Sequence, residues 1–217
     1  AWCWDAGDTT VTNNDGTIAT QVRSNGNFSV VNWDGDGSTG TVGTGLSSVD
    51  FIISKCASQE TDWAVWTSSF SDPTEYLALN LSNASSLQPS VISGAPTGGV
   101  VPLGGNGNYN TNMIMYAWKE TPGVSSFGEY LGTGSDLTIN CGFEPAFVMV
   151  KSDSWSPTNW VMLDNQRTNP LYANLSDAEP SLDLIDFQPN GFTIKGGSND
   201  VNATAQNYIY AAFAGSN

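Results

Sequence analysis

Apolar residues in this chain fall in short runs interrupted by Gly, Asn, Asp and Pro, and they hardly ever recur at helical spacing. Val49-Asp-Phe51-Ile-Ile53-Ser-Lys55 and Pro145-Ala-Phe147-Val-Met149-Val-Lys151 are runs of strand length that each stop at a lysine. An unbroken apolar run of that length suits a strand buried on both faces. Between the runs lie turn signals: Asp34-Gly35, Thr97-Gly98-Gly99, Gly104 to Asn108, Pro189-Asn190-Gly191 and Gly196-Gly197. Many short strands separated by such turns predict an all-β chain of antiparallel, jelly-roll-like β-sandwiches. The one helical expectation is a single serine-capped turn at Ser176-Asp177-Ala178-Glu179 and at its counterpart Ser82-Asn83-Ala84-Ser85.

The pattern occurs twice. Phe28 to Ser38, with Trp33 and Gly35-Asp-Gly37-Ser38, runs beside Phe127 to Ser135, with Tyr130 and Gly132-Thr-Gly134-Ser135. Val49 to Lys55 matches Pro145 to Lys151, and Asp62-Trp63-Ala-Val-Trp66 matches Asn159-Trp160-Val-Met-Leu163. Ala78-Leu-Asn80-Leu-Ser82-Asn-Ala84 matches Tyr172-Ala-Asn174-Leu-Ser176-Asp-Ala178, and Met113 to Trp118 matches Tyr208 to Phe213. The offset stays between 94 and 97, so two tandem homologous domains are expected, residues 26–119 and 124–217. Ala1-Trp2-Cys3-Trp4 resembles the end of each closing strand, so residues 1–25 read as the end of a preceding repeat plus a linker or edge strand. Residues 1–4 are expected to form a strand.

Charge narrows the partners. Lys and Arg number 6 against 21 Asp and Glu, a net charge of −15, which makes nucleic-acid backbones and anionic membranes poor partners. No apolar run approaches the roughly 20 residues of a membrane-spanning helix. Cys3, Cys56 and Cys141 lack metal-ligand spacing, and buried thiols are expected, with one disulfide as the alternative.

Histidine is absent, which removes Ser-His and Cys-His nucleophiles and every His-containing metal site. Asp50, Glu60, Asp62, Glu129, Glu144, Asp164, Asp183 and Asp186 are numerous, but no pair stands out as the acid and base of a glycosidase. The chain is therefore expected to be no enzyme, with no catalytic residue and no cofactor. Asp34-Gly-Asp36-Gly-Ser38 opens like a calcium loop, yet position 45, where the loop needs Glu, is Gly; a plain turn and no metal are expected. Aromatics at matched positions, Trp33 with Tyr130, Trp63 with Trp160 and Trp118 with Phe213, read as a shared core. The unmatched Trp66, Tyr76, Tyr109 and Trp155 are the candidate binding residues, Trp155 first because it stands in a polar Ser-Trp-Ser-Pro loop.

The second repeat carries a resemblance. Gly142-Phe-Glu-Pro145-Ala-Phe147-Val-Met-Val-Lys151, Asn159-Trp-Val161, Leu171-Tyr-Ala-Asn174-Leu-Ser-Asp-Ala-Glu179, Ile185-Asp-Phe187, Asn190-Gly-Phe192, Val201-Asn-Ala203 and Tyr208-Ile-Tyr-Ala-Ala-Phe-Ala214 resemble the C-terminal β-rich repeat domains of tail-fibre-like structural proteins of marine bacteriophages, including cyanobacterial phages. The first repeat is looser, with Leu46-Ser-Ser-Val49-Asp in place of Gly-Phe-x-Pro-Ala. The resemblance implies a virion component on the outside of the phage particle, in contact with other virion proteins and with a host-surface glycan or protein, and it implies no catalytic residues. Fibres commonly assemble symmetrically, so a homo-oligomer is expected. The alternative is a lectin-like, carbohydrate-binding module of a larger extracellular protein, which a flat exposed row of aromatics would favour.

Overall fold

The computed structural model describes residues 2–215. The chain divides into two compact units, Ala1–Leu77 with Ser86–Glu120, and Ala78–Ser85 with Thr121–Asn217. It is all-β and antiparallel, and no helix among the described residues is long and apolar enough to cross a membrane.

The first unit carries β1 (Thr10–Asn13), β2 (Thr20–Ser24), β3 (Phe28–Asp34), β4 (Gly40–Gly43), β5 (Phe51–Cys56), β6 (Ala64–Thr67), β7 (Glu75–Ala78), β8 (Ser86–Leu87), β9 (Val100–Leu103) and β10 (Asn112–Trp118). Its main sheet has the order β1-β2-β3-β10-β5-β6-β7-β8, and β4 pairs with β9 separately. Burial alternates along β10, where Met113, Met115 and Ala117 are buried and Asn112, Ile114 and Tyr116 are half-exposed. That period of two is what a sheet with one face on the core requires.

The second unit carries β11 (Ser125–Leu131), β12 (Leu137–Asn140), β13 (Pro145–Ser152), β14 (Val161–Asp164), β15 (Leu171–Tyr172), β16 (Ile185–Gln188), β17 (Gly191–Ile194), the short helix α1 (Asn199–Asn202) and β18 (Asn207–Ala214). A five-stranded sheet, β11-β18-β13-β14-β15, faces a three-stranded one, β12-β17-β16. Val148, Val150, Val161 and Leu163 from the first meet Ile185, Phe192 and Ile194 from the second in one core. β13 is buried along nearly its whole length, as its unbroken run requires.

The repeat is visible as topology. The order β3-β10-β5-β6-β7 is repeated as β11-β18-β13-β14-β15, and β4–β9 as β12–β17. Register fixes the equivalence: Met113 opposes Trp33 as Tyr208 opposes Tyr130, and Trp118 opposes Phe51 as Phe213 opposes Phe147. One detail of the sequence match is corrected. Phe28 lies opposite Trp118 and Phe127 opposite Ala211, so the counterpart of Phe28 is Ser125. A two-residue slip keeps every side chain on its face, so alternation cannot detect it.

Three other expectations are corrected. Trp2 to Trp4 form no strand; the edge-on packing of Trp4 against Trp118, with ring centroids 5.9 Å apart, holds the segment by side chain instead of ladder. Strands do form within the stretch read as a linker or edge, as β1 and β2. No helix forms at 176–179 or 82–85; the only helical turn among the described residues is α1, where the Ser198 hydroxyl accepts the Asp200 N–H at 3.3 Å. Cys56 is buried, whereas Cys3 is exposed and Cys141 half-buried, and none of the three is in a disulfide.

The Gly-x-Gly-Ser turns are built alike in both units. A Cβ on Gly35 would lie 2.1 Å from the carbonyl oxygen of Tyr109, and one on Gly132 the same 2.1 Å from that of Ala203. Gly37 and Gly134 take φ of +78° and +74°, which glycine adopts without penalty. A buried asparagine closes each turn. Gly37 N–H donates to the Asn108 carbonyl, and the Asn108 side-chain amide donates to the Ser38 carbonyl at 3.0 Å. Gly134 N–H donates to the Asn202 carbonyl, and the Asn202 side-chain amide donates to the Ser135 carbonyl at 2.7 Å.

Candidate functional site

The loop between β13 and β14 holds Trp155, 37% exposed, in a frame of hydrogen bonds. Trp155 N–H donates to Ser152 Oγ at 3.0 Å, and the Thr158 hydroxyl donates to the Trp155 carbonyl at 3.2 Å. Beneath it, the fully buried Lys151 donates from Nζ to Thr158 Oγ1 at 2.8 Å and to the Ser152 carbonyl at 2.7 Å. Burial brings the Lys151 ammonium down to about 8, against the opposing pull of Asp200 and Asp153. The repeat-equivalent Lys55 takes the other course: half-exposed, it donates to the Thr61 carbonyl at 2.6 Å and lies 5.4 Å from the centre of the Trp63 ring.

Beyond the loop the network continues through amides. Asn159 donates to the Asp200 carboxylate from its backbone N–H (2.7 Å) and side chain (3.2 Å). Asn174 donates to Asn159 Oδ1 at 2.8 Å and accepts the Trp160 N–H at 2.8 Å. Trp160 is buried, and its indole N–H donates to the Ala78 carbonyl at 2.8 Å. An open groove of about 340 Å³ lies alongside, lined by Asn80 to Asn83, Pro157 to Asn159, Asn174 and Leu175. Leu81 and Leu175, equivalent in the two repeats, are both exposed, and no titratable group lines this groove.

The other candidate residues lie in the first unit. Tyr76 and Tyr109 are half-buried; burial, then the nearby Asp62 and Tyr109, push the Tyr76 hydroxyl above its ordinary range. Trp66 is not an exposed contact. It is 4% exposed, its indole N–H donates to the Pro73 carbonyl at 3.0 Å, and it opposes Ile52 as the buried Leu163 opposes Val148. Being aromatic where its counterpart is aliphatic made it look unmatched. The matched aromatics Trp33, Tyr130, Trp118, Phe213 and Trp160 are all buried, whereas Trp63 is half-exposed.

Asp36 does what a turn carboxylate does. Bonds from the Ser38 hydroxyl and N–H, and from Asn108, hold it below the usual carboxylate range. Among the described residues no three Cys, Asp or Glu side chains converge as a metal site would need. Asp164 pairs with Arg167 and Asp186 with Lys195, while Asp50 accepts the Glu120 N–H.

Sequence reasoning missed Asn108 and Asn202. The signal is the repeat offset, which separates Asn108 from Asn202 as it separates the matched blocks; a turn signal alone, such as Gly104 to Asn108, does not name the side chain that closes a distant turn.

Over residues 1–216 the chain matches the family described as a domain of unknown function, DUF7483, and it belongs to that family. No curated protein and no solved structure matches it.

Proposed function

We propose that this chain is a structural segment of a phage virion fibre, a tail fibre or surface fibre of the particle, assembled as a homo-oligomer with other virion proteins. It meets the host surface through loops that differ between its repeats, without catalysing a reaction. One observation carries this reading: the turn glycines, the turn-closing asparagines and the closing-strand aromatics that the repeats share are spent on the fold, while the Trp155 indole stands exposed in a braced loop. Gly35 and Gly132, Asn108 and Asn202, and Trp118 and Phe213 are turn-locking or buried in both units. Trp155 is exposed on a rigid support, the arrangement that offers large contact area at small entropic cost. The sequence resemblance to tail-fibre-like proteins supports the virion setting. A module devoted wholly to carbohydrate binding, with a flat row of exposed aromatics, has less support than a fibre segment, because the exposed indoles Trp4 and Trp155 belong to different units; a single indole in one unit leaves room for a local sugar contact on a fibre.

The test is labelling of intact particles with antibody raised against the chain, followed by adsorption with particles carrying Trp155→Ala. Decoration of fibres, and an adsorption rate at least threefold lower with unchanged melting of the isolated chain, is expected. Absence of label from purified virions overturns the virion reading, and unchanged adsorption removes Trp155 as the contact.

A further inference from the structure

The outer face of β1, β2 and β3 is polar where it borders the segment at Trp4 to Asp8. Cross-strand register places Thr10, Arg23 and Val30 in one row, and Thr12, Gln21 and Asn32 in the next. Residues directly opposite one another on paired strands share a face, and Val22, Val31 and Trp33 point to the other side, where they are buried. Between this face and the segment runs an open groove of about 550 Å³, within the range of small-ligand sites, lined by Trp4, Asp5, Asp8, Gln21, Arg23 and Asn32 among others.

The wall of this groove is built. Asp5 Oδ1 accepts the Gly7 N–H at 2.7 Å, and the Asn25 side chain donates to the Asp5 carbonyl at 2.8 Å. Trp4 is braced edge-on by Trp118, with its planes at 77°, and still presents 36% of its surface. Arg23 donates from Nε to Thr10 Oγ1 at 3.4 Å and forms no salt bridge among the described residues. Asn32 is held by reciprocal amide bonds with Asn112, at 2.9 and 3.3 Å.

We propose that this groove binds a neutral oligosaccharide, one pyranose ring lying against the Trp4 indole and its hydroxyls meeting Gln21, Arg23, Asn32 and the Asp5 and Asp8 carboxylates. A sugar ring has apolar C–H faces and an equatorial rim of hydroxyls that both donate and accept. An indole beside a floor of planar amides, a guanidinium and carboxylates satisfies both features. An anionic sugar is disfavoured: Arg23 is offset by two carboxylates in the same groove, and the whole chain carries −15.

This inference is independent of the virion reading, because free saccharides titrated into the isolated chain report on the groove alone. Neutral tetrasaccharides of glucose, galactose and mannose, with a uronic-acid tetrasaccharide alongside, are titrated while intrinsic tryptophan fluorescence and heat are followed. Saturable binding of at least one neutral sugar is expected, weakened at least tenfold by Trp4→Ala and at least threefold by Arg23→Met and by Gln21→Ala. Should Trp4→Ala disturb folding, the latter two, on the exposed face of β2, decide. Binding to none of the neutral sugars, binding to the uronic acid only, or loss through Trp155→Ala while the three groove variants bind normally would each overturn it.

Discussion

Lys151 is the residue whose surroundings most contradict its chemistry. An ammonium has been carried to a fully buried position, where two acceptors and the more distant Asp200 and Asp153 only partly replace water. Its folded value, about 8, lies below the ordinary 10.5. Between those two values the unfolded chain binds the extra proton, so stability rises with pH across that window and the burial penalty is fully present below it. The total is on the order of 3 kcal/mol. From about pH 10 upward the opposite slope takes over, because burial raises Tyr130, Tyr76, Tyr172 and Tyr208 above their ordinary value. Urea midpoints measured from pH 7 to 11 should climb, peak near pH 10 and fall. Lys151→Met should remove the climb, and a wild-type curve flat from pH 7.5 to 9.5 would refute the assignment. The sequence could not disclose this, since Lys55 ends the matching run and remains half-exposed; the difference lies in the surroundings of each strand's end, not in the strand. Trp155 was legible as an exposed loop residue because Ser, Pro and Asn surround it. Trp66 was misread because its partner in burial, Leu163, has a different shape but the same place.

At the level of elements, strands and their pairing were largely legible, and closures were not. Period-two alternation and paired turn glycines determine strand, face and turn, which is why β3, β5, β10 and their counterparts β11, β13 and β18 follow from composition and spacing. What closes the Gly-x-Gly-Ser turns is a residue about 70 positions away. Asn108 Oδ1 accepts the Trp33 indole N–H at 2.8 Å, and Asn202 Oδ1 accepts the Thr133 N–H at 2.8 Å. No local pattern reveals such a partner. The consequence is testable in duplicate. Asn108→Ala leaves the buried Trp33 indole N–H without its acceptor, and Asn202→Ala removes three hydrogen bonds that hold the 133–135 turn, at about 2–3 kcal/mol apiece. Each should lower the melting temperature by roughly 5–10 °C, given the few degrees per kcal/mol of a chain this long. If either melts within a degree of wild type, the lock does not hold that turn.

For the whole molecule, the unit boundary and the repeat boundary do not coincide. Residues 78–85 belong to the first repeat by sequence and to the second unit by packing. The bonds are specific: the Ala78 carbonyl accepts the Trp160 indole N–H at 2.8 Å, the Ser82 carbonyl accepts the Thr158 N–H at 3.0 Å, and Ser85 N–H donates to the Asp153 carbonyl at 2.8 Å. The sequence shows the segment twice, as 78–84 and 172–178, and self-similarity assigns each copy to its own repeat; nothing in it says that both line one groove. A chain cut between the two repeats, 121–217, therefore loses a strip of its own unit. It leaves a buried indole N–H without its acceptor and the Trp155 loop without two backbone bonds. At about 1–3 kcal/mol for each unmatched buried group, the loss is comparable to a large share of a domain's stability. The fragment 121–217 should unfold at a markedly lower urea concentration than the intact chain's second transition and expose Trp160 to fluorescence quenchers. Adding a synthetic 76–87 peptide in excess should restore part of the lost stability, by mass action on the folded form. A fragment as stable as the intact unit, and indifferent to the peptide, would mean that the segment merely rests on the second unit and that the repeat boundary is the true one.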